Sequence, residues 1–216
     1  MHQQLDSHVL GGTMKVKYFL FSAVLTAIFL FSNQAFAVTF FGQEMSSQEK
    51  EMMEMMMKYG SPGAHHELLK KYMGDWNVEV KSWMKPGAEP MISQATQKNE
   101  LILNGRYLKG TFKGMMMGQT YEGIELIGYD QFKEKYVTVW IDNMSTGFFL
   151  SSGTLDESGK VLTETGQMPD PMTGGMQKVK NVTTFLEDGK YRFEMFMIMD
   201  DGIEFKSMEL LANRKM

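Results

Sequence analysis

The stretch HHELLKKYMGDWNVEV, residues 65–80, contains two kinds of periodicity that meet at Gly74. Before the glycine, apolar side chains recur at helical spacing, which predicts a short helix over residues 65–73. From Trp76 onward apolar and polar residues alternate, which is typical of a half-buried strand. The chain is therefore expected to pass directly from a short helix into a sheet, with a glycine at the junction.

The rest of the chain repeats the strand pattern, and no helical period interrupts it. Asn104-Gly105 is a strong two-residue hairpin signal, and the glycines in DESGK, EDGK and DDGI mark further turns. Ten antiparallel strands in hairpin order predict an all-β fold, an up-and-down β-barrel with a short N-terminal helix at one end. A two-sheet sandwich is the alternative. The predicted strands are 76–84, 92–103, 106–113, 119–128, 135–142, 146–155, 160–167, 176–187, 190–200 and 203–214.

The N-terminus has the composition of a secretory signal peptide. Two lysines precede an apolar run over residues 18–31, and small residues follow at Ala35 and Ala37. The run is shorter than the about 20 apolar residues that span a membrane. We therefore predict that residues 1–37 are a misassigned start plus a signal peptide, cleaved after Ala37.

The predicted mature chain begins at Val38 and carries 20 basic and 25 acidic residues, a net charge of −5. This balance argues against nucleic acid and anionic membrane surfaces as partners. There is no cysteine for disulfides, thiol catalysis or a lipid anchor. We expect a periplasmic or secreted monomer or weak homodimer, with no membrane contact after signal cleavage. It would comprise a Met-rich polar segment, helical or flexible, at 38–64 and a single β-barrel domain at 65–216.

The Gly-x-Trp at the start of the first strand resembles that of the calycin superfamily, which includes lipocalins and fatty-acid-binding proteins. In that superfamily an arginine of the last strand packs over the tryptophan and closes the barrel base. The resemblance implies this structural role for Gly74, Trp76 and Arg214. Arginine can stack on an indole face while it donates hydrogen bonds to nearby carbonyls.

A closer resemblance covers residues 65–216. The segments MGDWNVEVKSWMKPGAEPM, LNGRYLKG, MGQTYEGIELIGYD, YVTVWIDNMSTG and DPMTGG are similar, in order and spacing, to the bacterial family called domain of unknown function 1579. The resemblance implies a small single-domain β-barrel, often behind a signal peptide, with no established activity.

A set of polar and aromatic residues in these segments is suited to a barrel lumen, which can hold a small ligand between apolar walls and a few polar groups. Arg106 paired with Glu122 or Asp142 is also compatible with an internal ion pair that serves the fold alone. The candidate ligand-binding residues are Arg106, Tyr107, Glu122, Tyr129, Trp140 and Asp142.

Methionine is unusually frequent, at 23 of 216 residues, and five methionines fall within residues 52–57. Met53, Met56 and Met57 would share one helix face, and thioethers are ligands that favour Cu(I). The alternative is that methionine is a flexible apolar filler.

The sequence therefore predicts a non-enzymatic barrel that binds an unidentified apolar or amphipathic small molecule and carries no cofactor. One alternative is a periplasmic Cu(I)- or Ag(I)-binding protein. Another is a small-pocket enzyme in which Glu122, Asp142 or Tyr107 acts as acid or base.

Overall fold

A computed structural model describes residues 45–170, 173–187 and 189–215. The chain divides into two compact units, Met1–Met53 and Glu54–Met216, and only residues 45–53 of the first are described. The predicted signal peptide and its cleavage site therefore lie outside the described residues.

Helical structure is confined to the region before the sheet. Helix α1 spans Ser47–Gly60, a 3-10 turn spans Ala64–His66, and helix α2 spans Glu67–Tyr72. Ser46 caps α1, since its hydroxyl accepts a hydrogen bond from the Glu49 amide at 3.3 Å. Within the described part of the chain, no helix has the length and hydropathy needed to span a membrane.

Ten antiparallel strands form a closed barrel in which each strand pairs with its sequence neighbours and β1 pairs with β10. The predicted fold class is thereby confirmed, and the sandwich alternative is wrong because closure leaves a single sheet. The strands are β1 Gly74–Ser82, β2 Met91–Ile102, β3 Tyr107–Met116, β4 Gln119–Asp130, β5 Lys135–Asp142, β6 Phe149–Leu155, β7 Val161–Asp170, β8 Gly175–Phe185, β9 Lys190–Ile198 and β10 Glu204–Arg214.

The strand bounds differ from the predicted ones by at most three residues. Strands β3 and β7 end three residues later than predicted because their pairing continues; Met116 at the end of β3, for example, still pairs with Gln119. Strand β6 instead begins three residues later than predicted, at Phe149. At Asn104-Gly105 the connection is longer than the predicted two-residue turn, because Leu103 and Asn104 both have positive φ and pairing stops at Ile102.

The barrel has a closed end, where α2 meets the starts of β1 and β3, and an open end, where β1 runs into β2 and β9 into β10. Leu68, Leu69 and Tyr72 of α2 are buried, and the Tyr72 ring lies edge-on to Tyr191 at 5.4 Å. Below we call the buried apolar side chains at the closed end the floor. Its largest members are Leu69, Trp76, Leu108, Tyr136 and Leu162.

Arg214 covers Trp76 at the closed end, with its guanidinium carbon 4.4 Å from the indole ring centroid. The guanidinium also donates to the carbonyls of Met73 and of Lys71, the latter at 3.0 Å, where the helix leaves unpaired acceptors. Gly74 has φ +110°, and a Cβ there would lie 2.8 Å from the Arg214 guanidinium. A glycine at this position therefore permits both the turn into β1 and the close approach of the arginine.

Candidate functional site

Above the apolar floor, the inward-facing side chains of the barrel become polar. Strand register places them on the same face as the floor residues; Gln97, for example, is the cross-strand partner of Trp76. We call this belt the polar layer. Its members are Gln97, Asn99, Glu125, Thr138, Ser151, Glu164, Asn181 and Thr183.

Each carboxyl group of the polar layer lies across from a glycine of the neighbouring strand. Gly110 is the cross-strand partner of Glu125, and Gly153 is that of Glu164. A Cβ at Gly110 would lie 2.8 Å from Asn99 Oδ1 and 3.3 Å from Glu125 Oε2, closer than side chains pack. The absence of a side chain at Gly110 thus lets three polar groups converge on one point of the wall.

Glu125 belongs to a network that leads down to the floor. Gln97 Nε2 donates to Glu125 Oε2 at 3.2 Å and to Asn99 Oδ1 at 3.1 Å. Tyr191 donates its hydroxyl to Gln97 Oε1 at 3.0 Å, and the Asn99 amide donates to the Tyr72 carbonyl at 2.9 Å. These bonds fix the orientation of both amides, so the Glu125 carboxyl has a defined position.

Glu164 lies on the facing part of the wall and is only 5% exposed. The Thr138 hydroxyl donates to Glu164 Oε1 at 2.8 Å. Its cross-strand partner Asn181 is 3% exposed, and the Asn181 Oδ1 accepts no hydrogen bond from the described residues. Ser151 Oγ in the same layer is likewise buried without a partner among the described residues, and such unpartnered atoms are unusual for buried polar groups.

Both carboxyl groups hold their protons more tightly than a solvated glutamate does. Burial raises the pKa of Glu125 to about 7, and the neighbouring charge of Glu164 adds to the effect, while the Gln97 hydrogen bond opposes it. Burial likewise raises the pKa of Glu164 to about 7, against the opposing hydrogen bond from Thr138. Near neutral pH the two groups are therefore partly protonated.

A second polar group, Asp142, lies nearer the open end. Its Oδ2 accepts hydrogen bonds from Trp140 Nε1 at 2.9 Å and from the Tyr121 hydroxyl at 3.2 Å. Burial acts to raise the pKa of Asp142, but hydrogen bonds from the Met144 amide, Trp140 and Tyr121 outweigh it and hold the pKa below its usual value. Asp142 is thus ionised at neutral pH, and aromatic rings surround it.

Solvent reaches the part of the lumen between the polar layer and the open end. On β9 and β10, inward-facing Phe193, Met195, Met197 and Leu210 are only half-buried, whereas Trp76 on the floor is 1% exposed. A closed wall lets inward side chains contact solvent only through the lumen. Large apolar side chains are also exposed around the rim, namely Met84, Met91, Ile92, Met115, Met117, Met144, Phe148, Met176 and Ile203.

The structure brings together only two of the six predicted ligand-binding residues, Trp140 and Asp142. Tyr107 is 45% exposed and has the parity of the outer wall. Glu122 also faces outward and forms an ion pair with Lys113 at 2.8 Å.

The remaining two predicted residues lie at the closed end. Tyr129 stacks on His65 with ring centroids 4.2 Å apart. Arg106 donates from Nε to the Gly60 carbonyl at 2.8 Å. The suggested internal ion pair of Arg106 with Glu122 or Asp142 is therefore wrong.

The sequence reasoning missed Glu125 and Glu164, although a signal was present. Glu125 shares strand parity with the apolar Ile127, and Glu164 shares it with Leu162. A charge at an inward position is rare unless it is functional or paired. The flanking residues obscured that parity, because Ile124 and Leu126 are apolar on the outer face as well.

Two other features do not form a site in the lumen. A groove of about 320 Å³ lies on the outer wall at β1–β3 and is lined by charged side chains such as Lys98, Glu100 and Lys113. Helix α1 exposes Met56 and Met57, at 39% and 63%. Copper binding at Met53, Met56 and Met57 stays a prediction. In the described ranges, no three His, Cys, Asp or Glu side chains are arranged to hold a metal ion.

The structure is a closed ten-stranded antiparallel barrel with an apolar floor, a polar layer and half-buried apolar side chains above that layer. The chain belongs to the family described as Protein of unknown function (DUF1579), whose model matches residues 61–214. The predicted family resemblance is thereby confirmed. Of the features expected from the calycin resemblance, the structure shows a short helix followed by a closed barrel. A comparison with curated proteins gave no match.

Proposed function

We propose that this protein is exported and binds a small amphipathic molecule in the barrel lumen. One observation carries the binding proposal: inward-facing side chains keep solvent contact above the polar layer, while those of the floor are fully buried. A chamber with aromatic and methionine walls and a few directed polar groups has the composition of small-molecule sites. The proposal of export is supported by the two lysines, the apolar run and the Ala-x-Ala motif that follow one another within residues 15–37.

The position of the polar layer favours an amphipathic ligand over a purely apolar one. A purely apolar ligand would leave Asn181 Oδ1 and the second oxygens of Glu125 and Glu164 without a new donor in a dry site, at a cost of about 1–3 kcal/mol for each unsatisfied group. A polar head at this depth would satisfy them. The apolar part of the ligand would then contact Phe193, Met195 and the exposed rim.

The binding proposal is tested with the neutral fluorescent probe N-phenyl-1-naphthylamine. We expect saturable enhancement of its emission by the purified protein, at one probe per chain. Met195→Trp, which points a bulky side chain into the lumen, should lower probe affinity about tenfold or more. The matched control is Phe196→Trp, one residue further on the outer face of the same strand. Equal binding by both variants, or no saturable enhancement at all, would refute binding in the lumen.

Mass spectrometry under native conditions complements the probe. Protein purified from its own host, without detergent, should carry a co-purifying small molecule that denaturation releases. Met195→Trp should carry less of it than Phe196→Trp. The N-terminal sequence of the same exported protein reports the cleavage site; a mature chain that retains residues 1–37 would contradict export through a cleaved signal peptide.

A second candidate function is acid–base catalysis by the carboxyl pair. The observation that favours it is that Glu125 and Glu164 both titrate at about 7, where a group can accept and release protons at neutral pH. If the co-purifying molecule is converted during incubation, Glu164→Gln should abolish conversion even at a concentration of the molecule that saturates the variant. Conversion at an unchanged rate in this variant would contradict acid–base catalysis by the carboxyl pair.

A further inference from the structure

We propose that the polar layer binds a cationic head group, so that the ligand of the lumen is an amphipathic amine. This inference rests on the proposed function, since it names the chemical class of the molecule that the lumen would hold. The site consists of Glu125 and Glu164 in the polar layer, with Asp142 above them.

The first argument is the charge of the lumen. The inward-facing positions of the described strands carry four carboxyl groups: Glu125, Asp142 and Glu164, and Asp170 where β7 ends at the open end. The cation at an inward position of the described strands is Arg214, and its guanidinium is engaged at the closed end by Trp76 and two backbone carbonyls. The carboxyl pair thus faces the lumen without a protein counter-charge. A buried negative charge is stabilised by a cation or by protonation.

The second argument is the balance of hydrogen-bond donors and acceptors. Glu125 accepts a bond at Oε2 from Gln97, and Glu164 accepts one at Oε1 from Thr138. The buried Asn181 Oδ1 and Ser151 Oγ have no partner among the described residues, and both oxygens can accept a hydrogen bond. An ammonium group has three donors and no acceptor, so it can donate to these oxygens and to the carboxyl groups. A carboxylate head would add further acceptors and would meet like charge.

The third argument is the aromatic wall that leads to the carboxyl pair. Tyr121 and Trp140 stack with ring centroids 6.3 Å apart, and Phe112 lies 6.0 Å from each of them. Both polar rings donate to Asp142, which increases the electron density on their faces. Cations are attracted to such faces and to an ionised carboxylate. The path from the open end to the polar layer is therefore favourable for a cation along its length.

The other titratable groups near Glu125 and Glu164 are consistent with binding of a cationic head group. Tyr72 and Tyr191 are neutral, since burial raises the pKa of each well above its usual value. His66 lies at the closed end, where its Nδ1 accepts a hydrogen bond from the Gly63 amide at 3.0 Å. Glu125 and Glu164, each with a pKa of about 7, are ionised above pH 8. The neighbouring groups supply no compensating positive charge.

The test compares three molecules of equal chain length at pH 8, decylamine, 1-decanol and decanoate, in competition with N-phenyl-1-naphthylamine. We expect decylamine to displace the probe at about a tenfold lower concentration than decanol, and decanoate to be the weakest. Glu125→Gln and Glu164→Gln should each reduce the preference for amine over alcohol. The double variant should lose it. Glu122→Gln, on the outer wall of the same strand as Glu125, should keep the full preference.

The possible outcomes separate the two proposals. If all three molecules displace the probe equally, the lumen binds amphipathic molecules without selecting cations, and this inference is wrong while the proposed function stands. If the amine preference survives in the double variant, the cation is bound elsewhere and the inference is again wrong. If the protein binds neither the probe nor any of the three molecules, both proposals fail. Circular dichroism of each variant confirms that the fold is retained.

Discussion

Replacing Glu164 by glutamine should stabilise the protein at alkaline pH and have much less effect at acidic pH. The pKa of Glu164 is about 7 in the folded chain and 4.5 for a solvated glutamate. Because the folded chain holds the proton more tightly, its stability is highest below pH 4.5 and declines as the pH rises through about 7. Ionisation of Glu164 in the folded chain costs on the order of 2–3 kcal/mol, and glutamine does not ionise.

Glutamine also fits the hydrogen bonds of the site. Its amide oxygen can accept from the Thr138 hydroxyl as the carboxylate does, and its amide nitrogen can donate toward the cross-strand Asn181. Loss of the charge in addition removes repulsion from Glu125. At pH 8.5 we therefore expect a gain of roughly 2–3 kcal/mol in the free energy of unfolding, which is about 5–10 °C in Tm for a chain of this length.

Urea unfolding followed by circular dichroism at pH 8.5 and pH 5 measures the effect. At pH 5 Glu164 is protonated in the folded chain but mostly ionised in the unfolded chain, so the wild type has lost little stability and the variant should exceed it by only about 1 kcal/mol. The control is Glu122→Gln, which removes an exposed ion pair with Lys113 and should change stability by less than about 1 kcal/mol at either pH. A Glu164→Gln variant that is destabilised to the same extent at both pH values would refute the reasoning.

Three further substitutions test the closed end and the aromatic wall. Arg214→Ala should lower the free energy of unfolding, measured in urea, by about 2 kcal/mol. Arg214→Lys should be intermediate, because a lysine keeps the charge but not the planar stacking. Equal stability of Arg214→Ala and the wild type would contradict the closure role. The single variant Gly74→Ala should lower the free energy of unfolding by about 1–2 kcal/mol, since alanine is strained at φ +110° and its Cβ meets the Arg214 guanidinium. Gly123→Ala places a Cβ 2.2 Å from the Trp140 ring, so the indole must move off its bond to Asp142 and its fluorescence should shift to the red. An unchanged emission spectrum would show that Trp140 does not cover Gly123.

The fold could be predicted because its determinants are local. Alternation along each strand and the turn signals between them require only near neighbours in sequence, and they gave ten strands with bounds within three residues of those observed. Closure was less local, since it depends on β1 meeting β10. It became predictable because Trp76 and Arg214 mark the two strands that pair at the seam.

The site was harder to predict because it depends on which face of each strand points inward. Trp140, Asp142 and Arg106 were all chosen by residue type in the family-like segments, and the register places only Trp140 and Asp142 on the inner face. Arg106 follows a turn and contacts the segment before α2. Glu125 shares parity with Ile127, but apolar residues on both faces of β4 hid that pattern, and its position across from Gly110 appears only in the structure.

The position of the carboxyl pair within the barrel explains how the fold tolerates it. Full burial of each large floor side chain, such as Trp76, Leu69 or Leu108, contributes about 1.5–3 kcal/mol. Together, these floor side chains contribute more stability than the few kcal/mol that are lost when Glu125 and Glu164 ionise above neutral pH. A chain selected for stability alone would fill these two positions with aliphatic residues, as it does at Leu108 and Leu162. Sites that break local rules at a cost to stability are commonly functional. The polar layer is for this reason the part of the barrel where a ligand should be sought first.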